Sequence, residues 1–241
     1  MSFVLIHGGA HGAWCWERLL PHLEAPALAV DLPGRGKKPA ELDALCADDW
    51  ARAVADDIEA AGLSRVVLVG HSLAGITIPR VLERVGERIA HAVFVSCCIP
   101  SEGQSIYEAL AVETPGGSEI APPSAGSSSI DPESARAWFC SDMDEEQTHF
   151  VLDRLCPEAT RPMREPMRLA GLRRAVPRTY VKLLSDAILL PPMQDAFIRN
   201  AGPGCRVREL ASGHNAMVSR PRELARILNE IAAEGPRQER R

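Results

Sequence analysis

The stretch Arg65-Val66-Val67-Leu68-Val69-Gly70-His71-Ser72-Leu73-Ala74-Gly75 constrains the fold of this chain more than any other. A short run of valines and leucine with no polar interruption reads as a strand buried on both faces, which is the interior of a parallel sheet. The Gly-x-Ser-x-Gly that follows forces a turn too tight for side chains at its first and last positions. Ser72 is therefore expected at a sharp strand-to-helix corner. Its hydroxyl would stand above the sheet, facing the free N–H groups and positive end of the next helix.

The flanking sequence repeats this rhythm. Residues 3 to 6 read as a strand that ends at His7-Gly8-Gly9-Ala10-His11-Gly12-Ala13-Trp14. Such a glycine-rich turn lets backbone N–H groups approach an anion, although it would also serve as a plain strand-to-helix loop. Trp14 to Leu23 has the spacing of a short helix, Ala27 to Val30 of a strand, and Ala47 to Ala61 of an amphipathic helix stopped by Gly62. After Ser72 a helix is expected to about Val85-Gly86, kinked by Pro79 in its second turn, and then a strand from His91 to Cys98. Strands at Thr179 to Leu184 and Arg206 to Leu210, with helices at Pro192 to Asn200 and Arg220 to Ala233, complete an α/β pattern. About six mainly parallel strands with helices on both faces are expected.

Between residues 101 and 174 the alternation stops, so a core domain of residues 1–100 and 175–241 is expected to carry a helical insertion. Thr114 to Ser129 is rich in Pro, Gly and Ser, as a lid or a disordered loop would be. Two helices should follow, one opened by Asp131-Pro132 and one by Asp142 with Glu145 three residues on. The insertion is acidic first and basic later; its arginines read as solvated or ion-paired, with a substrate carboxylate as the alternative partner.

A net charge of −5 at pH 7 argues against nucleic acid as the principal partner and favours a small molecule. No apolar stretch reaches the ~18 residues of a membrane span. The strand that opens almost at the first methionine leaves no room for a leader, so a cytoplasmic location is expected. Seven cysteines without a Cys-x-x-Cys pair suit reduced thiols there, with neither zinc nor a disulfide framework.

Three groups with complementary chemistry stand after separate strands: Ser72, Asp186 and His214. In a parallel sheet those strand ends share one rim. A serine hydroxyl needs a base to become nucleophilic at neutral pH, imidazole has a suitable pKa, and a carboxylate fixes the imidazole tautomer. The backbone N–H groups of Gly9 and Leu73 are assigned to the oxyanion that would form. Asp31, which precedes the serine, is read as bonding the turn Pro33-Gly34-Arg35-Gly36. His7 is read as bonding the loop backbone beneath the oxyanion turn, His71 as packing beside the elbow, His11 as supporting the glycine loop or touching the substrate, and His22, His91 and His149 as surface or helix-end residues. Cys15, near the expected mouth of the site, has no partner that would activate it.

The chain resembles the α/β-hydrolase superfamily, and within it the branch of plant methylesterases, hydroxynitrile lyases and related bacterial esterases. The residues that carry the resemblance are His7 to Trp14, Gly70 to Gly75, Leu155-Cys156-Pro157-Glu158 and Gly213-His214-Asn215-Ala216-Met217. It implies a Ser-Asp-His triad under a helical cap, no cofactor and no metal. It also implies a small-molecule ester as substrate and a pocket lined by Gly8, Ala10, His11, Met217 and Trp138, with core packing as the alternative for Trp138. A homodimer stays open. Hydroxynitrile lyases of this branch carry a threonine and a lysine where this chain has Gly8 and Asn215, so cyanohydrin cleavage is not expected. The sequence points to a serine carboxylic-ester hydrolase. Lactone, thioester or C–C hydrolysis, acyl transfer, and a receptor without turnover are the alternatives.

Overall fold

The computed structural model describes residues 1–113 and 126–234. Most of the expected Pro/Gly/Ser loop and the end of the charged tail lie outside the described residues. Six strands form one parallel sheet in the order β2-β1-β3-β4-β7-β8: β1 Ser2–Ile6, β2 Ala27–Val30, β3 Val66–His71, β4 Ile89–Val95, β7 Arg178–Leu183 and β8 Arg206–Leu210.

Alternation along the central strands sorts their side chains onto two faces. Val4, Ile6, Val66, Leu68, Ala92 and Phe94 point to a core shared with α1 (Ala47–Ala60), α2 (Thr77–Val85) and α7 (Pro191–Asn200). Phe3, Leu5, Val67, Val69, Val93 and Val95 point to the opposite core, with Trp16, Leu19 and the apolar side of α9 (Pro221–Glu234). Burial on both faces is why β3 reads as an uninterrupted apolar run.

Several elements differ from the sequence expectation for identifiable reasons. Trp14 to Leu23 is two 3₁₀ turns, Ala13–Trp16 and Leu20–His22, because Pro21 has no N–H to continue an α-helix. After Ser72 the chain makes a 3₁₀ turn, Ser72–Ile76, and α2 begins only at Thr77. Pro79 thus falls in the first turn of α2, where an N–H has no intrahelical partner to lose, rather than in the second. His91 is buried rather than on the surface, its Nε2 2.9 Å from the Thr179 hydroxyl.

Between β4 and β7 lie α3 (Ile106–Glu113), β5 (Ser127–Ser128), α4 (Pro132–Phe139), α5 (Glu145–Leu152), β6 (Glu158–Ala159) and α6 (Arg161–Arg164). The β5–β6 pair is antiparallel and separate from the main sheet. Asp131 caps α4 as expected, with Pro132 next to it, but the cap of α5 is Asp144, in a box with Gln147, rather than Asp142. Asp142 is engaged elsewhere. After β8 the short helix α8 (Ala216–Ser219) precedes α9.

Candidate active site

The strand order reverses between β1 and β3: the chain leaves β1 toward β2 on one side and returns as β3 on the other. Loops diverge at such a point and leave a crevice beyond the carboxyl ends of the strands. Pairing of Ile6 with Gly70, and of His71 with Val95, brings the His7–Gly12 loop, Ser72 and Ser96 to this rim side by side.

Ser72 has φ of +52°, in the left-handed region that a residue with a side chain enters only when its surroundings hold it. The glycines around it make that corner feasible. A Cβ at Gly70 would press on Ile78 and Ala74, and one at Gly75 would run into the Cys98 carbonyl. The Ser72 carbonyl accepts the Cys98 N–H at 3.1 Å, tying the corner to the end of β4.

From Ser72 a hydrogen-bonded line runs into the interior. His214 Nε2 lies 3.0 Å from Ser72 Oγ, and His214 Nδ1 lies 2.7 Å from Asp186 Oδ2. His214 and Asp186 are buried, whereas Ser72 and Gly9 are partly open to solvent. Asp186 Oδ2 also accepts the Ser96 hydroxyl at 2.7 Å, and Oδ1 accepts the N–H groups of Ile188 and Leu189. Burial alone would raise the Asp186 pKa. The His214 ring and these donors outweigh it and hold the carboxyl below its ordinary value. An ionised Asp186 accepts from His214 Nδ1–H, which leaves the Nε2 lone pair facing Ser72. Ser96 was missed from the sequence; ending β4 at Val95 would have put it on the same rim.

The glycine loop is tied down by two neutral histidines. His7 Nδ1–H donates to the Gly8 carbonyl at 2.8 Å while its Nε2 accepts the Leu32 N–H, and burial lowers its pKa to about 4. His11 Nδ1–H donates to the Gly9 carbonyl at 2.7 Å, its Nε2 accepts from Asn215 Nδ2 at 3.1 Å, and burial lowers its pKa to about 3. In a trans peptide the N–H points opposite to the C=O, so pinning the Gly8 carbonyl also aims the Gly9 N–H. The Gly9 N–H has no hydrogen-bond partner among the described residues. Leu73 is the second residue of the 3₁₀ turn Ser72–Ile76, within the first turn, where an N–H has no intrahelical partner.

Of the residues expected to line a pocket, His11 and Met217 are fully buried, and Ala10 nearly so with φ of +58°. Trp138 is 44% exposed, whereas the adjacent Phe139 is 5% exposed, with its ring 5.0 Å from that of His11 and 5.9 Å from that of His214. Phe139 rather than Trp138 meets the buried histidines. A Cβ at Gly8 would come within 2.9 Å of both His71 Nδ1 and Ser72 Cβ, so a threonine there would displace the serine corner. Asp31 accepts the N–H groups of Ala13 and Lys37, the turn-bonding role expected of it. Cys15 is fully buried, and burial pushes its thiol well above the ordinary value. Among the insertion's arginines, Arg136 pairs with Glu145, Arg161 with Glu165, Arg168 with Asp48 and Glu83, and Arg174 with Glu87.

Fold and site together define a class: a parallel α/β domain with serine, histidine and carboxylate in one hydrogen-bonded line at the rim of its sheet. The chain belongs to the alpha/beta hydrolase family, whose model matches residues 3–227. It is similar to the probable esterase PIR7A of Oryza sativa subsp. indica, 31% identical over 258 residues that cover 96% of each chain. It is likewise similar to the carbendazim hydrolyzing esterase of Nocardioides sp. (strain SG-4G), 30% identical over 94% of this chain and 98% of that one. The solved structure of a methylesterase from Arabidopsis superposes with a TM-score of 0.79 at 26% identity, covering 97% of this chain and 99% of that one.

Proposed function

We propose that this chain is a serine hydrolase of small-molecule carboxylic esters, with Ser72, His214 and Asp186 as its triad. The observation that carries the reading is the line Ser72 Oγ, His214 Nε2 and Nδ1, Asp186 Oδ2, with contacts of 3.0 and 2.7 Å. The relatives named esterases and methylesterases support the same bond class.

Ser72 Oγ attacks the ester carbonyl carbon as its proton passes to His214 Nε2. The carbonyl oxygen becomes an oxyanion held by the N–H groups of Gly9 and Leu73, each such donor contributing ~10² to 10³ in rate. Collapse breaks the acyl–oxygen bond, and His214 returns its proton to the departing alcohol. Water, deprotonated by His214, then attacks the acyl-serine through a second tetrahedral species and frees the acid and Ser72. Gly8 and Asn215 stand in place of the groups a cyanohydrin lyase would need.

Among the described residues no helix is long and apolar enough to cross a membrane. All seven cysteines are unpaired, which supports a reducing, cytoplasmic setting. The net charge of −5 speaks against a nucleic-acid partner. Ser72→Ala should abolish hydrolysis of a short p-nitrophenyl ester while the far-UV and near-UV circular dichroism stay native. Retained turnover in that variant would overturn the assignment.

A further inference from the structure

The insertion between β4 and β7 reaches the two loops that carry the proposed chemistry, and at each it ends in a carboxylate. Glu158, on β6, is buried; its Oε2 accepts the Ala10 N–H at 2.8 Å. Its Oε1 accepts the Ala159 N–H at 2.8 Å and pairs with the buried Arg35 guanidinium, so the charge is compensated where it lies. Asp142, between α4 and α5, accepts the Gly213 N–H at 2.8 Å through Oδ2, which the Ser212 hydroxyl also approaches at 3.4 Å. Ala10 follows the proposed oxyanion donor Gly9, and Gly213 precedes His214.

At both places the loop backbone lies directly against the carboxylate. A Cβ at Gly213 would collide with the Asp142 side chain, and one at Gly9 would come within 3.3 Å of Glu158 Oε2. Glycine supplies that proximity but also the greatest freedom to move away, so a charged acceptor at each point determines where the loop rests. The Gly9–Ala10 peptide is held at both ends, its carbonyl by His11 and its N–H by Glu158, while His7 holds the peptide before it.

We propose that Asp142 and Glu158 are positioning residues, through which the insertion fixes the histidine loop and the oxyanion loop in register with Ser72. The insertion is then part of the catalytic frame as well as a cover over the substrate. This rests on the reading of Ser72 as an ester nucleophile. A group that aims transition-state donors affects kcat, whereas one that merely shapes the pocket affects KM.

The test compares the native chain with Ser72→Ala, Glu158→Ala, Asp142→Ala, Asp142→Asn and the double variant Arg35→Met/Glu158→Gln. The last two keep an oxygen acceptor, and the double variant also avoids stranding the arginine charge. With a p-nitrophenyl ester, Glu158→Ala and Asp142→Ala should each lose about ten-fold or more in kcat, with KM within about two-fold of native, whereas Ser72→Ala gives no turnover. Affinity for a trifluoromethyl ketone that forms a tetrahedral adduct should fall in parallel, and the acceptor-keeping variants should recover most of both losses. If Glu158→Ala does not fold, the double variant and the Asp142 pair carry the comparison. Folded alanine variants with native kcat, or with raised KM and unchanged ketone affinity, would overturn the positioning role while leaving the hydrolase assignment standing. A native chain without Ser72-dependent turnover would overturn both.

Discussion

Asp186 has every lone pair in use. His214 and Ser96 share Oδ2, and two backbone N–H groups converge on Oδ1. Ser96 is fully buried with φ of +41°, a strained conformation for a residue with a side chain. That strain is consistent with a site where function outweighs local preference. Ser96→Ala removes one charge-assisted bond and leaves the two N–H donors in place. A loss of about ten-fold in kcat/KM is expected, with stability lowered by about 1–2 kcal/mol, as measured by ester kinetics and urea unfolding. Unchanged kinetics would mean that the backbone donors alone hold the carboxylate. Ser72, Asp186 and His214 were legible in the sequence because each follows a strand that its own residues announce. Ser96, Asp142 and Glu158 were not. Ser96 depends on where β4 ends, and the run from His91 to Cys98 hides that boundary. The two acids meet their partners across separations of 71 and 148 residues, where no local pattern connects them.

At the scale of the elements, α2 joins the serine corner to the insertion. Its start at Thr77 makes Pro79 harmless, and the Pro79 carbonyl lies against Gly171 in the 3₁₀ turn Ala170–Arg173. A methyl group at Gly171 would run into that carbonyl and also press on Leu82 at 3.1 Å. Gly171→Ala should therefore overpack the contact by about 2–3 kcal/mol, because neither backbone can retreat without opening the core beneath α2. In a domain of this size that corresponds to a fall of about 5–10 °C in Tm, read by scanning calorimetry. An unchanged Tm would show that the turn has slack to yield. Sheet strands and their crossover helices could be read from periodicity because each buries a long apolar face. The insertion could not, because the two-residue strands β5 and β6 and the single turn α6 are too short to show a period.

Across the whole molecule, the reversal of strand order places three neutral imidazoles at or beneath the candidate site, near a fourth that accepts a proton in the proposed mechanism. His71 lies 4.6 Å from His214, and His11 lies 6.1 Å from His71, ring centre to ring centre, with His7 beneath the same loop. Burial holds His7 to a pKa of about 4 and His11 to about 3, and His71 well below the ordinary value. His91, away from the site, is lowered to about 4 by burial and by the Arg206 charge. In the unfolded chain each ring binds a proton near pH 6.5. From about pH 6.5 down to about 4 the unfolded state thus holds more protons than the native one, and stability falls with pH through that window. One ring of native pKa about 4 removes about 2 kcal/mol between about pH 7.5 and pH 5. His91 allows the effect to be isolated from catalysis, since its Nε2 bonds the Thr179 hydroxyl between β4 and β7, away from the candidate site. Urea unfolding of the native chain and of His91→Gln at those two pH values should show the native chain losing about 2 kcal/mol more than the variant on acidification. Equal losses would mean that His91 takes up its proton in the folded protein as readily as in the unfolded chain and contributes nothing to the acid lability.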